Sequence, residues 1–134
     1  MFHSTRSIAA GAALYGVVAF AIGFVFGALR QLVLIPLLGE RGGHWAEFPL
    51  VTASIMAVGI WLSRRRRLGT APALLTGLGG VLVLLIVEGA FALGLMGMSV
   101  EAFLSTFNIF AGALFPYGLV VMGLAPWLAT RFSR

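Results

Sequence analysis

One acidic residue lies inside a long apolar stretch of this sequence. Glu88 falls within residues 72–98, about 24 Å along a helix that starts at Pro72 if each residue adds about 1.5 Å. A lone carboxylate in a membrane-like environment is costly unless it is paired, protonated or next to water. Glu88 therefore predicts one of three things: an ion pair, a proton- or solute-coupling site, or a contact with another subunit.

Arg30 is the basic residue that we expect at a similar depth. It follows the uncharged run 8–29, and a buried charge of one sign calls for a partner of the other sign. We therefore predict an intramembrane pair between Arg30 and Glu88. Glu47 and Glu40 are the rival partners for Arg30.

A polar cluster precedes the second apolar stretch. Glu40, His44 and Glu47 lie within eight positions of a glycine-rich segment. Carboxylate and imidazole groups can bind metals, but hydrogen bonding at a water-exposed turn explains these residues equally well. We expect an outer-face polar cluster without a metal or other cofactor.

The remaining sequence offers no catalytic set. The chain has no Cys, which excludes disulfides, thiol catalysis and thiolate metal sites. It also has no phosphate-binding loop, no dinucleotide fingerprint and no arrangement of nucleophile, base and orienting group. The sequence predicts a protein that is not an enzyme.

The elements that must position these residues follow from the composition. Of 134 residues, 60% are hydrophobic and 10% are charged, and the mean hydropathy is +1.06. Soluble domains have about 45–50% apolar and about 25% charged residues. We predict one integral membrane domain comprising residues 1–134.

Four apolar stretches are candidates for membrane-spanning helices, which need about 20 residues each. Together they predict an all-α, four-helix membrane bundle. The first stretch either ends at residue 29 or continues to 38, where residues 31–38 would otherwise lie at the interface. At 22 residues it is longer than the apolar core of a secretory signal, about 7–15 residues, so we expect it to be retained. The four spans are 8–29, 48–63, 72–98 and 103–129.

All nine basic residues are Arg, and their distribution predicts the orientation. If the loop containing Arg64, Arg65, Arg66 and Arg67 is cytoplasmic, seven arginines lie on that side and two on the other. The positive-inside rule then gives cytoplasmic N and C termini. We expect the arginine run to anchor this topology and contact anionic lipid, and we expect no nucleic-acid partner.

Small residues predict how the helices pack. Gly16, Gly23 and Gly27 recur along the first span, and small residues let membrane helices approach closely. We expect this helix to pack inside the bundle or against a partner. Pro116 predicts a kink in the fourth span, and Ser99 predicts a helix start before it.

A set of short motifs comprises residues 27–30, Pro36, residues 39–40 and 47–49, Glu88 and the prolines of the final helix. This set resembles small four-helix inner-membrane proteins of bacteria that carry no assigned function. The resemblance implies a bacterial inner-membrane location and lends no activity, cofactor or catalytic residue. It directs attention to Arg30, Glu40, Glu47 and Glu88.

Two functions from different classes remain. The favoured one is a non-catalytic accessory, structural or assembly subunit of a larger membrane complex, because an intramembrane ion pair needs no transport to explain it. The alternative is a small oligomeric transporter or channel that uses Glu88. Expected partners are membrane lipids and either other membrane subunits or further copies of this chain.

Overall fold

A computed structural model describes residues 5–108 and 114–132, and within these ranges the chain is helical and contains no strand. The all-α prediction is therefore confirmed for this part of the chain. Two π-helical segments, Arg30–Leu34 and Ala90–Leu95, continue the first and third helices. The helices are α1 (Thr5–Leu29), α2 (Ile35–Arg66), α3 (Thr70–Gly89), α4 (Val100–Ser105) and α5 (Phe115–Phe132).

The first π segment and a bend at Gly39 organise the N-terminal half. Pro36 cannot donate a backbone hydrogen bond and its ring crowds the preceding turn, so the chain widens into the π segment just before it. Gly39 then takes φ 81° and ψ 171°, a conformation open to glycine. The first helical arm thus reaches residue 38, and residues 31–38 continue it.

The second arm, residues 40–66, returns antiparallel to the first. Tyr15 lies beside Gly59, and near the far ends Arg66 donates to the Ser7 carbonyl oxygen at 2.9 Å. The helix begins at the bend, well before the predicted start at residue 48. Pro49 consequently lies inside the helix and not in its first turn.

The third predicted span corresponds to α3 and its π segment. The segment ends at Leu95, and Gly97 has φ 65°. The Met98 N–H donates to the Ala92 carbonyl at 2.8 Å. Such a glycine-terminated helix end satisfies otherwise unpaired carbonyls, so the helix stops slightly earlier than residue 98.

The fourth predicted span, 103–129, is wrong as a single helix. α4 ends at Ser105, residues 106–107 form a turn, and α5 begins at Phe115. Ser105 and Thr106 hydroxyls donate to carbonyls three residues earlier, which competes with regular helix. Pro116 lies in the first turn of α5, where proline is tolerated, so the predicted mid-helix kink is wrong.

The predicted helix start at Ser99 is confirmed. The Ser99 hydroxyl accepts the Ala102 N–H at 3.1 Å, which satisfies one of the free donors at the beginning of α4.

Contacts between glycines and neighbouring helices give the directions of packing. Gly11 lies near Thr76 and Gly16 near Gly80, so α1 and α3 run parallel. In the same way α2 and α5 are parallel, because Gly59 contacts Ala125 and residue 118 lies near residue 52. The arginine-rich end, comprising Arg6, Arg64, Arg65, Arg66, Arg67 and Arg131, therefore lies opposite the bend at Gly39.

Tyr15 holds the half of the bundle nearer the arginine-rich end. Its side chain is fully buried between Gly59 of α2 and Gly80 of α3. Its hydroxyl donates to the Met122 carbonyl of α5 at 2.6 Å. One α1 side chain thus contacts three other helices, and we call this region the closed half.

Within the described ranges, two helical stretches are long and apolar enough, by length and composition, to cross a membrane. They are Thr5–Arg66, which the Gly39 bend divides into two arms, and Thr70–Leu95. Many of their large apolar side chains point outward, among them Leu32, Leu82 and Ile86, which are 77%, 59% and 62% exposed.

Candidate functional site

A cavity of about 650 Å³ occupies the half of the bundle nearer the Gly39 bend, which we call the open half. Its floor is formed by Ala19, Leu84 and Met122, members of the buried cluster around Tyr15. Side chains from all five helices line it. The volume falls within the range of about 300–1,000 Å³ typical of small-molecule sites.

Glu88 lines this cavity from α3. Leu84, Glu88 and Ala92 all line it, because residues four apart share one face of a helix. Glu88 is partly buried. Within the part of the chain that the structure describes, no hydrogen bond or ion pair reaches its carboxylate.

Arg30 pairs with Glu47 and not with Glu88. Its Nη1 donates to both Glu47 carboxylate oxygens at 2.9 Å, and the side chains are 24% and 13% exposed. The predicted Arg30–Glu88 pair is therefore wrong, and the bend at Gly39 explains why Arg30 meets Glu47. It lies nine residues after Arg30 and eight before Glu47, so the antiparallel arms bring these two side chains together.

Two buried polar atoms of residues that line the cavity have no hydrogen-bond partner among the described residues. They are Arg30 Nε and Thr52 Oγ1. Buried polar atoms are rarely left unpaired, so the hydrogen bonding around the cavity is incomplete in this structure.

The predicted polar cluster is divided between the cavity and the surface. Glu40, His44 and Glu47 follow one another along α2, but only His44 and Glu47 line the cavity, and Glu40 is exposed. Among the described residues, no three acidic, His or Cys side chains are grouped as a metal ion would need.

The three predicted packing glycines have different surroundings. A Cβ on Gly16 would lie 2.6 Å from Val83 and 2.7 Å from the Gly80 carbonyl oxygen, so this glycine permits close approach of α1 and α3. Among the described residues, a Cβ on Gly23, which lines the cavity, would meet no atom within 4 Å outside its own helical backbone, and a Cβ on Gly27 would meet only Arg30 Nη2 at 4.0 Å. Within the chain, the packing prediction describes Gly16 and does not describe Gly23 or Gly27.

The predicted arginine run lies at the opposite end from the cavity. Arg66 lies beside Gly11 and bonds the start of α1, while Arg65 stacks over Trp61 at 5.8 Å. Arg67 takes the left-handed conformation that ends α2. Arg64 is exposed, as are Arg65 and Arg67.

Sequence reasoning did not identify Tyr15 or the aromatic lining of the cavity. Tyr15 is a polar residue between small residues at 12, 16 and 19, a pattern that could have indicated a close helix crossing. Phe48, Phe103 and Phe115 line the cavity from three helices, and no local pattern in the sequence connects them.

Both π segments adjoin the charged residues of the site. Arg30 is the first residue of one segment, and Glu88 lies two residues before the other. π-helical turns are rare and frequently occur at functional sites. Here each π segment changes the angular positions of the side chains along its helix, and each adjoins a charged residue that lines the cavity.

Comparisons with known proteins add no identification. No family model matches the chain, and no curated protein and no solved structure matches it.

Proposed function

We propose that this chain is a small multi-pass protein of a bacterial inner membrane that binds a solute in the open-half cavity and transports it. The observation that carries the proposal is the placement of Glu88, which lines a cavity of about 650 Å³ and has no partner among the described residues. Arg30 is already neutralised by Glu47. A carboxylate at membrane depth facing a cavity is characteristic of a solute or proton pathway.

The proposed membrane topology is supported by the distribution and the exposure of the arginines. The bundle collects six described arginines at one end, and the positive-inside rule assigns that end to the cytoplasm. Four helical arms would then cross the bilayer, with both termini inside and the cavity opening outward. The exposed Arg64, Arg65 and Arg67 would contact anionic lipid headgroups, as basic residues at this face commonly do.

Transport also needs a route past the closed half. Tyr15, Gly59 and Gly80 fill the bundle axis within one chain. We therefore propose an oligomer, in which the route runs between copies or opens when the copies rearrange. No enzymatic step is proposed.

The test is a flux assay on the purified chain in proteoliposomes with an entrapped pH dye. Addition of small organic solutes outside should drive a solute-dependent proton movement in the wild type. Glu88→Gln should abolish it, because the amide cannot exchange a proton. Glu101→Gln is the matched control, since Glu101 is exposed in the first turn of α4 and does not line the cavity. An equal flux in Glu88→Gln would contradict the proposal.

A second candidate is the accessory or assembly subunit of a larger membrane complex. The observation that favours it is Gly27: among the described residues, the only atom near a Cβ there is Arg30 Nη2 at 4.0 Å, from its own helical arm. Small residues without a packing partner in their own chain suit close approach by a second helix. That helix would come from another membrane protein or from another copy.

Gly27→Leu separates the two candidates, because Gly27 does not line the cavity. If the chain is an accessory subunit, gentle purification from native membranes should yield stoichiometric partners, and Gly27→Leu should lose them. A clean homo-oligomer from native membranes would contradict the accessory function and leave transport as the remaining proposal.

A further inference from the structure

The cavity combines one unneutralised carboxylate with aromatic walls. Phe103 Cζ lies 3.9 Å from the Cβ position of Gly89, one residue beyond Glu88, so this ring is close to the helical turn that carries the carboxylate. Phe107 lies edge-on to both Phe103 and Phe115, with ring centroids 5.6 and 5.3 Å apart. The three rings thus form a row, of which Phe103 lies nearest the turn of Glu88 and Phe103 and Phe115 line the cavity.

The charge balance of the cavity selects the sign of its occupant. Arg30 is its only fixed positive group among the described lining residues, and Glu47 neutralises it. When Glu88 is ionised, the cavity carries an excess of one negative charge. An anion would have to compete with Glu47 for Arg30 and approach Glu88 at the same time, so a cation is favoured.

The lining also selects the type of cation. A hydrated metal ion needs several oxygen ligands, and no suitable group of three acidic or His residues occurs in the described ranges. Aromatic rings, by contrast, attract large, weakly hydrated organic cations through their negative faces. Apolar side chains such as Val51, Ile55 and Leu119 would surround the body of such a molecule.

We propose that the cavity binds a hydrophobic organic monocation of the quaternary ammonium or phosphonium type. Glu88 supplies the opposite charge, and Phe48, Phe103 and Phe115 supply apolar and cation–π contacts. The inference names the substrate class of the proposed transport site and so rests on that proposal for its biological context. Equilibrium binding itself requires no transport.

The experiment uses two probes of the same shape and opposite charge. Equilibrium dialysis of the full-length protein in a neutral detergent should show saturable binding of tetraphenylphosphonium and none of tetraphenylborate. Equal binding of the two ions would overturn the inference, because it would indicate only apolar partitioning.

Variants locate the binding. Glu88→Gln should weaken tetraphenylphosphonium affinity about tenfold or more, since a charge in a partly apolar site contributes strongly to binding, while Glu101→Gln should leave affinity unchanged. Phe103→Leu should weaken it severalfold. Gel filtration checks folding, and if Glu88→Gln does not fold, Phe103→Leu still tests the site. Unchanged affinity in a folded Glu88→Gln or Phe103→Leu protein would overturn the inference.

The two proposals fail in different ways. Charge-selective binding that depends on Glu88, in a protein without flux in liposomes, would uphold the cation site and contradict transport. Flux of neutral or anionic solutes that depends on Glu88, without tetraphenylphosphonium binding, would overturn the cation inference and uphold transport.

Discussion

The closed and open halves of this bundle are built from the same helices but are packed differently: one is filled by side chains and the other encloses a cavity. In the closed half, Tyr15 fills the space between glycines of α2 and α3, and its hydroxyl bonds to α5. In the open half the same helices separate around a cavity of about 650 Å³. An ion pair and two unpartnered polar atoms take the place of close packing there.

The change occurs over two turns of α1. Gly16 is in close contact with α3, whereas a Cβ on Gly23 would meet no atom of another described segment within 4 Å. Beyond Gly16, Phe20 and Phe24 both pack on Phe91, with ring centroids 5.4 and 5.6 Å apart. Small residues bring helices together and large rings keep them apart, which accounts for the close approach of α1 and α3 at Gly16 and for their wider spacing at these rings.

The largest expected effect comes from adding a side chain at the tightest helix contact of the closed half. Any Cβ on Gly77 would overlap the Gly123 carbonyl oxygen of α5. Because backbone cannot yield as a flexible side chain does, Gly77→Leu should force α3 and α5 apart, at a cost well above the roughly 1–3 kcal/mol of ordinary overpacking. The expected result is loss of a monodisperse, cooperatively unfolding protein in detergent.

Gly94→Leu is the matched control, because a Cβ there would meet no atom of another helix within 4 Å in the part of the chain that the structure describes. It should leave the size-exclusion profile unchanged and shift the unfolding temperature only slightly. Equal destabilisation by both variants would contradict the expectation that the α3–α5 contact makes residue 77 less tolerant of a side chain than residue 94.

The next effect concerns the ion pair that joins the two arms in the open half. Arg30→Gln should leave the Glu47 carboxylate without its cation and destabilise the fold by about 1–3 kcal/mol. The double variant Arg30→Gln with Glu47→Gln should recover part of that loss, because no unpaired charge remains. Thermal unfolding of the wild type, Arg30→Gln, Glu47→Gln and the double variant measures the coupling. Additive effects would show that the pair does not stabilise the hairpin.

The sequence predicted the class of fold better than it predicted the pairing of the charged residues. Helical structure and the opposing ends of the arginines followed from apolar runs and charge, and the candidates Arg30, Glu47 and Glu88 all line the cavity. The predicted pair of Arg30 and Glu88 rests on their similar depth, and the structure pairs Arg30 with Glu47 instead. The second helix begins at residue 40, after the Gly39 bend, and not at 48, which places Glu47 opposite Arg30.

The remaining misses have a similar origin. The π segments arise from backbone adjustments that apolar periodicity does not report. The break after Ser105 depends on hydroxyl bonds to the backbone, which compete with an otherwise apolar helix pattern. The aromatic cavity wall combines residues from α2, α4 and α5, and only the tertiary packing brings them together.

A smaller effect tests the hydrogen bond of the closed half. Tyr15→Phe removes the hydroxyl that donates to the Met122 carbonyl but keeps the buried ring, so it should cost about 1 kcal/mol. Tyr117→Phe is the control, because Tyr117 is 50% exposed and should change the unfolding temperature little. A stability loss of equal size in both variants would show that the buried Tyr15 hydrogen bond stabilises the fold no more than an exposed tyrosine hydroxyl does.

The smallest expected effect is local and lies in the open half. Ser99→Ala removes the side-chain acceptor of the Ala102 N–H and should weaken α4 by about 0.5–1 kcal/mol. Since α4 has six residues and packs mainly on the second π segment, the loss should appear as faster hydrogen exchange of α4 amides. Exchange in α3 around Gly77 should not change, because the closed half does not depend on this cap. If exchange accelerated equally in both regions, the two halves would unfold as one cooperative unit. They would then differ in packing but not in local stability.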